Sequence, residues 1–136
     1  MGPEPITRGG PHTRGVLPCG MLLRPATRLL LFAHGSRDPR WRQPFERLEA
    51  TLRCELGDDR VRLAYMEFVT PTFLDAAAEA EKDGFQTLRL LPLFLSAGAH
   101  VAHDIPAQAA EARARHPRLV IEVLPPIGED PRFVLL

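Results

Sequence analysis

Apolar residues in this chain gather into four short runs: Leu29–Ala33, Val61–Phe68, Thr87–Leu95 and Leu119–Leu124. Runs of this length bounded by Gly, Asp and Pro suit strands buried on both faces, as in a parallel sheet. The stretches between them follow a different rhythm. After Asp38-Pro39, the positions Trp41, Phe45, Leu48, Leu52 and Leu56 recur every three to four residues, which predicts a helix closed by Gly57-Asp58-Asp59. Pro44 is tolerated in a first turn but not in a helix interior, so the regular part is expected to begin close to it. An alanine-rich helix is predicted over Phe73–Asp83, with Thr70 or Thr72 as its cap and Gly84 as its stop. A turn over Ser96–His100 precedes a third helix, Asp104–Arg115, ended by His116-Pro117. Pro92 inside the third run removes a ladder donor and marks an irregularity. Gly128-Glu129-Asp130-Pro131-Arg132 reads as a loop leading into about one turn of helix.

Strands alternating with helices predict an α/β fold, a three-layer α/β/α arrangement around a central four-stranded parallel sheet with right-handed crossovers. The working domain is expected over residues 28–136. Residues 1–27 are interrupted throughout by Pro and Gly and carry Arg, the composition of a disordered or loosely draped extension. Met21, near its end, offers an alternative start of translation. At 136 residues the chain has material for one domain with a real core.

The formal net charge is zero, which gives no global field favouring nucleic acid or an anionic membrane. No stretch reaches the roughly 18–20 apolar residues of a membrane span, and the amino end lacks the apolar centre of a secretory signal. Cys19 and Cys54 form neither a disulfide framework nor a CxxC metal site. Together these features predict a cytoplasmic protein. Its basic residues are sixteen Arg and a single Lys, Lys82, a bias of codon composition or a supply of forks for carboxylates and phosphates.

Ligands of open α/β sheets bind beyond the carboxyl ends of the strands. Three ligand-competent side chains fall there: His34 after the first strand, Glu67 at the end of the second and His100 after the third. Two imidazoles and a carboxylate suit a first-row divalent metal such as cobalt, iron, nickel or zinc and leave coordination positions open for a substrate. The same imidazoles can move protons near neutral pH. His103, three positions after His100, is an exposed first-turn histidine, a second metal contact or an accessory base; His116 is a surface helix terminator. Ser36 can bond a ligand or cap the next helix, and no G-x-S-x-G elbow makes it a nucleophile. Arg37, Arg40 and Arg42 are a solvated helix start or a grip on an anionic ligand. Tyr65, Met66, Phe94 and Leu95 offer an apolar wall or ordinary core. His34-Gly35-Ser36-Arg37-Asp38-Pro39 is not the G-x-G-x-x-G of a dinucleotide site, and Ala33 stands where a histidine phosphatase would need arginine.

Four segments also resemble, in order, the motifs of the small sirohydrochlorin cobaltochelatases, class II chelatases of cobalamin and sirohaem biosynthesis. They are Leu30–Pro39, Ala64–Pro71, Leu91–Val101 with Asp104-Ile105-Pro106, and Gly128–Arg132. The resemblance spans residues 28–136. It implies the chelatase fold, insertion of a divalent metal (Co2+, alternatively Fe2+ or Ni2+) into the eight-carboxylate tetrapyrrole sirohydrochlorin, and no organic cofactor. His34 and His100 match the family's metal-binding, proton-accepting histidines, and Glu67 its acidic residue near the metal. Ser36 and Arg37 are expected at the substrate. His103 matches no family histidine. One copy of the motif set implies a homodimer. The sequence stops at Leu136, before most of the family's closing helix, which implies either a truncation or cover borrowed from a partner chain.

Overall fold

The computed structural model describes residues 26–95 and 98–134, with the side chains of residues 99–101 and 134 outside that description. Of the extension expected over residues 1–27, residues 1–25 lie outside it as well, whereas Thr27 is not disordered but buried at the start of the first strand. Strands β1 (Thr27–Ala33), β2 (Val61–Tyr65), β3 (Thr87–Pro92) and β4 (Val120–Val123) form one sheet in the order β2-β1-β3-β4. Every pairing is parallel. Helices α1 (Pro39–Leu56), α2 (Phe73–Lys82) and α3 (Ala99–Arg115) fill the crossovers, and a single turn, α4 (Pro131–Val134), follows β4. This is the expected α/β/α architecture.

Alternation along the strands sorts the core onto two faces. Leu30, Phe32, Ala64, Leu88, Leu90 and Ile121 point to one, where Phe73, Ala76, Ala77 and Ala80 of α2 and Ile105, Ala109 and Ala112 of α3 seal them. Alanine lets these helices approach the sheet closely. Leu29, Leu31, Ala33, Val61, Leu63 and Tyr65 point to the other, under Trp41, Phe45, Leu52 and Leu56 of α1. Leu48, assigned to that stripe by its spacing, is instead exposed.

Several boundaries differ from expectation, four of them near the carboxyl end of the sheet. α1 begins at Pro39, not near Pro44, because Asp38 caps it by accepting from the Arg40 N–H at 2.9 Å. Pro44 therefore lies inside the helix, on its exposed side. β2 stops at Tyr65 rather than Phe68, and β3 stops at Pro92 rather than Leu95. Leu93 N–H donates to Phe32 and Leu124 N–H to Leu90, so by alternation Pro92 faces β4 just where that strand ends, and its missing donor disrupts no ladder. α3 begins at Ala99 with Gly98 as its cap residue, so His100 stands in the first turn of a helix rather than in a turn before one. Pro106 is accommodated inside that helix.

At the amino end of the sheet Arg28 is 1% exposed. Its guanidinium donates to the Asp59 carbonyl at 2.8 Å and to Asp83 Oδ2 at 3.0 Å, lies 3.6 Å from Glu79 Oε1, and stacks 4.2 Å from the centre of the Phe85 ring. A charge buried this deeply is tolerable only when it is paired.

Candidate active site

The carboxyl end of the sheet is built differently. Beyond the last paired residues of β1 and β2, Ala33 and Tyr65, two more backbone bonds continue the ladder: Met66 N–H to the Ala33 carbonyl at 2.8 Å and Glu67 N–H to the His34 carbonyl at 3.1 Å. The extension sets the two side chains next to each other. His34 Nε2 lies 4.0 Å from Glu67 Oε2, with the two side chains 43% and 40% exposed. The imidazole is steadied edge-on by Phe94, 5.5 Å between ring centres.

Gly35 makes this approach possible. Its φ is +107°, and a Cβ there would fall 1.9 Å from the Glu67 carbonyl oxygen, so only glycine fits between the two loops. The loop carrying Glu67 is pinched at its base, where Tyr65 N–H donates to the Pro71 carbonyl at 2.9 Å. Thr72 then opens α2 with a capping box, its hydroxyl accepting from Asp75 N–H while the Asp75 carboxylate accepts from Thr72 N–H. Thr72, not Thr70, is the cap. Between these anchors Phe68 takes φ +76° with its side chain more than half exposed. A bulky residue in that region costs on the order of 1–3 kcal/mol.

Ser36 and the arginines divide their work. Ser36 Oγ accepts from Asp38 N–H at 3.1 Å, which steadies the turn before α1, while the cap of that helix is Asp38. Arg40 is held on the Asp38 carboxylate, and Arg42 donates to the Ser36 carbonyl at 3.0 Å, so both serve the start of α1. Arg37 lies over the Phe68 ring, 4.8 Å from its centre. Gly35, Ser36, Arg37, Asp38 and Phe68 enclose a depression of about 280 Å³. On the far side of Phe68 a groove of about 1050 Å³ runs along the β2 edge past Glu67, Arg42, Glu46 and Glu49. Burial raises the Glu49 carboxyl above its ordinary value against the pull of Arg53, and burial likewise raises the Tyr65 phenol.

Of the proposed apolar wall, Tyr65 and Met66 are core, Phe94 carries the imidazole, and Leu95 is 71% exposed. The backbone places His100 at the carboxyl end of β3 through the first turn of α3; its side chain lies outside the described residues. Among the described residues no three His, Cys, Asp or Glu side chains form a metal-holding cluster, and the described part of the expected set is the His34–Glu67 pair. His103 is exposed one turn into α3. His116 closes that helix, its Nδ1 2.6 Å from Glu81 Oε1 of α2. Sequence reasoning missed Phe68, because the apolar run passes through it as though β2 continued.

A parallel sheet with an imidazole and a carboxylate at adjacent strand ends, open to solvent, defines an α/β protein of the chelatase type. The sequence profile of the CbiX family matches residues 28–136, and the chain belongs to that family. It is 32% identical over 105 residues to the sirohydrochlorin cobaltochelatase of Sulfurisphaera tokodaii, covering 77% of this chain and 82% of that one. It spans less of two other cobaltochelatases, 54% and 60% of their lengths. Over 106 residues it is 26% identical to the sirohydrochlorin ferrochelatase of Bacillus subtilis, covering 78% of this chain and 41% of that one. The crystal structure of the CbiX protein from Marinobacter aquaeolei superposes with a TM-score of 0.73 at 34% identity, covering 80% of this chain and 86% of that one.

Proposed function

We propose that this protein inserts a divalent metal, Co2+ in the first instance, into sirohydrochlorin. His34, Glu67 and His100 would hold the ion, and the two histidines would accept the displaced protons. The observation that carries the reading is the His34–Glu67 pair, set 4.0 Å apart by a ladder extended past the strand ends. Insertion exchanges two pyrrole N–H protons for one M2+, so the site must hold a cation loosely and then take up two protons. Neutral imidazoles suit both tasks, and a half-exposed carboxylate balances charge without burying it. The named activities of the relatives support the substrate, cobalt in one and iron in another. The ligand types accept Co2+, Fe2+ and Ni2+ alike, so the physiological metal is a matter of competition among them.

We further propose that the protein works in the cytoplasm as a homodimer. Among the described residues no helix is long and apolar enough to cross a membrane.

The test follows sirohydrochlorin absorbance with purified protein and each metal in turn. Product in large molar excess over enzyme, fastest with Co2+, is expected. Product limited to one equivalent per chain would identify a metal or tetrapyrrole carrier and contradict the reading.

A further inference from the structure

We propose that Phe68 is a substrate-binding residue: its ring, held from one side by Arg37, forms the surface on which the planar face of the tetrapyrrole rests. This rests on the reading of the site as a sirohydrochlorin chelatase.

The observations converge on one side chain. Phe68 directly follows Glu67, at the tip of a loop whose base is fixed by the Tyr65–Pro71 backbone bond and the Thr72 capping box. Its backbone sits at φ +76°, where an aromatic residue gains nothing locally. Among the described residues no other non-glycine takes a positive φ. The residue remains 54% exposed, so the strained backbone does not serve to bury it. Strain retained at an exposed position beside reactive groups is the pattern of a binding feature.

The position is equally specific. Phe68 is the ridge between the Gly35–Asp38 depression and the groove along β2, lining both. A flat conjugated ligand centred on His34 and Glu67 would extend over the residue that directly follows Glu67. Aromatic faces stack on such ligands, and an arginine over the same ring adds attraction. Arg37, over the same ring, supplies a positive charge close to where the ligand's carboxylate arms would lie. Aromatic surface and positive charge are held as one unit, matching an apolar disc with an acidic rim.

The experiment compares wild type with Phe68→Ala, Phe68→Gly and Phe68→Tyr. The glycine variant accepts φ +76° without strain and separates loss of the ring from any change of the loop. Metal-free sirohydrochlorin is titrated by absorbance, steady-state kinetics are measured in both sirohydrochlorin and Co2+, and molecular mass is determined in solution. Loss of the ring is expected to weaken sirohydrochlorin binding and raise its KM about tenfold, the scale of one lost stacking contact. The KM for Co2+ should stay within twofold, and Phe68→Tyr should keep wild-type binding. Unchanged sirohydrochlorin affinity in both ring-deleted variants would overturn the proposal, the more so if their mass fell, since Phe68 would then be packing against a second copy. A wild type that neither binds nor turns over sirohydrochlorin would overturn the underlying reading and this one with it.

Discussion

β1 begins beside Arg28 and ends one residue before His34, and its two ends treat ionisable groups in opposite ways. At the amino end a guanidinium is removed from water and paired with a carbonyl, two carboxylates and an aromatic ring, its Nη1 lying 3.6 Å from Glu79 without a hydrogen bond. At the carboxyl end an imidazole and a carboxylate are positioned by backbone bonds but left half exposed and 4.0 Å apart, longer than a hydrogen bond. Compensation at one end gives a fixed structure. At the other, the loops bring an imidazole and a carboxylate side by side at an edge open to solvent, where the proposed cation would meet them. The same parallel sheet serves both, because ladder bonds hold the strands while the loops beyond them set which side chains meet.

The contrast breaks most visibly at His34. His34→Ala should lower kcat for metal insertion by about 10²–10⁴-fold, the range for removing a group that transfers protons. Unfolding free energy should change by less than about 0.5 kcal/mol, since the side chain is half exposed; steady-state kinetics and urea denaturation on one preparation check both. Arg28→Ala should do the reverse. It strips a buried pair and opens a cavity, so stability should fall by about 2–4 kcal/mol, while kcat well below the melting temperature stays within about twofold.

The smallest effect is at Asp130. Side-chain and backbone hydrogen bonds from Arg132 hold its carboxyl at about 2, below the usual 3.8. A lowered folded pKa stabilises above the unfolded value and is lost as pH falls, so this tie is intact above about pH 5 and is lost as pH falls through about 2. Both groups are solvent-exposed, so its contribution is small. In Arg132→Gln the Asp130 titration midpoint, followed by NMR, should rise toward the ordinary value.

Much of this was legible in the residues, and the failures have local causes. The strands announced themselves because a parallel sheet covered on both faces demands unbroken apolar runs such as Leu29–Ala33. Ends were harder to place. Asp104 and Pro106 imitate a cap and first turn, whereas α3 opens at Gly98-Ala99 with no side-chain cap bond. At α1 a real cap, Asp38, was discounted for Pro44, which a helix tolerates where water can reach the carbonyl left unpaired. The meeting of His34 with Glu67 follows from their places at the carboxyl ends of successive strands, but the reason it can happen, a left-handed Gly35 against the Glu67 carbonyl, depends on loop geometry. Phe68 was hidden because hydrophobicity reads as strand, and a positive φ leaves no mark on a phenylalanine.

The central claim is that histidines from two distant segments serve one reaction. Multiple-turnover insertion of Co2+ into sirohydrochlorin by His100→Ala, beside wild type and with matched circular dichroism, tests it most directly. The account predicts loss of at least about 10²-fold in rate with the fold preserved. A His100→Ala protein turning over at the wild-type rate would contradict it.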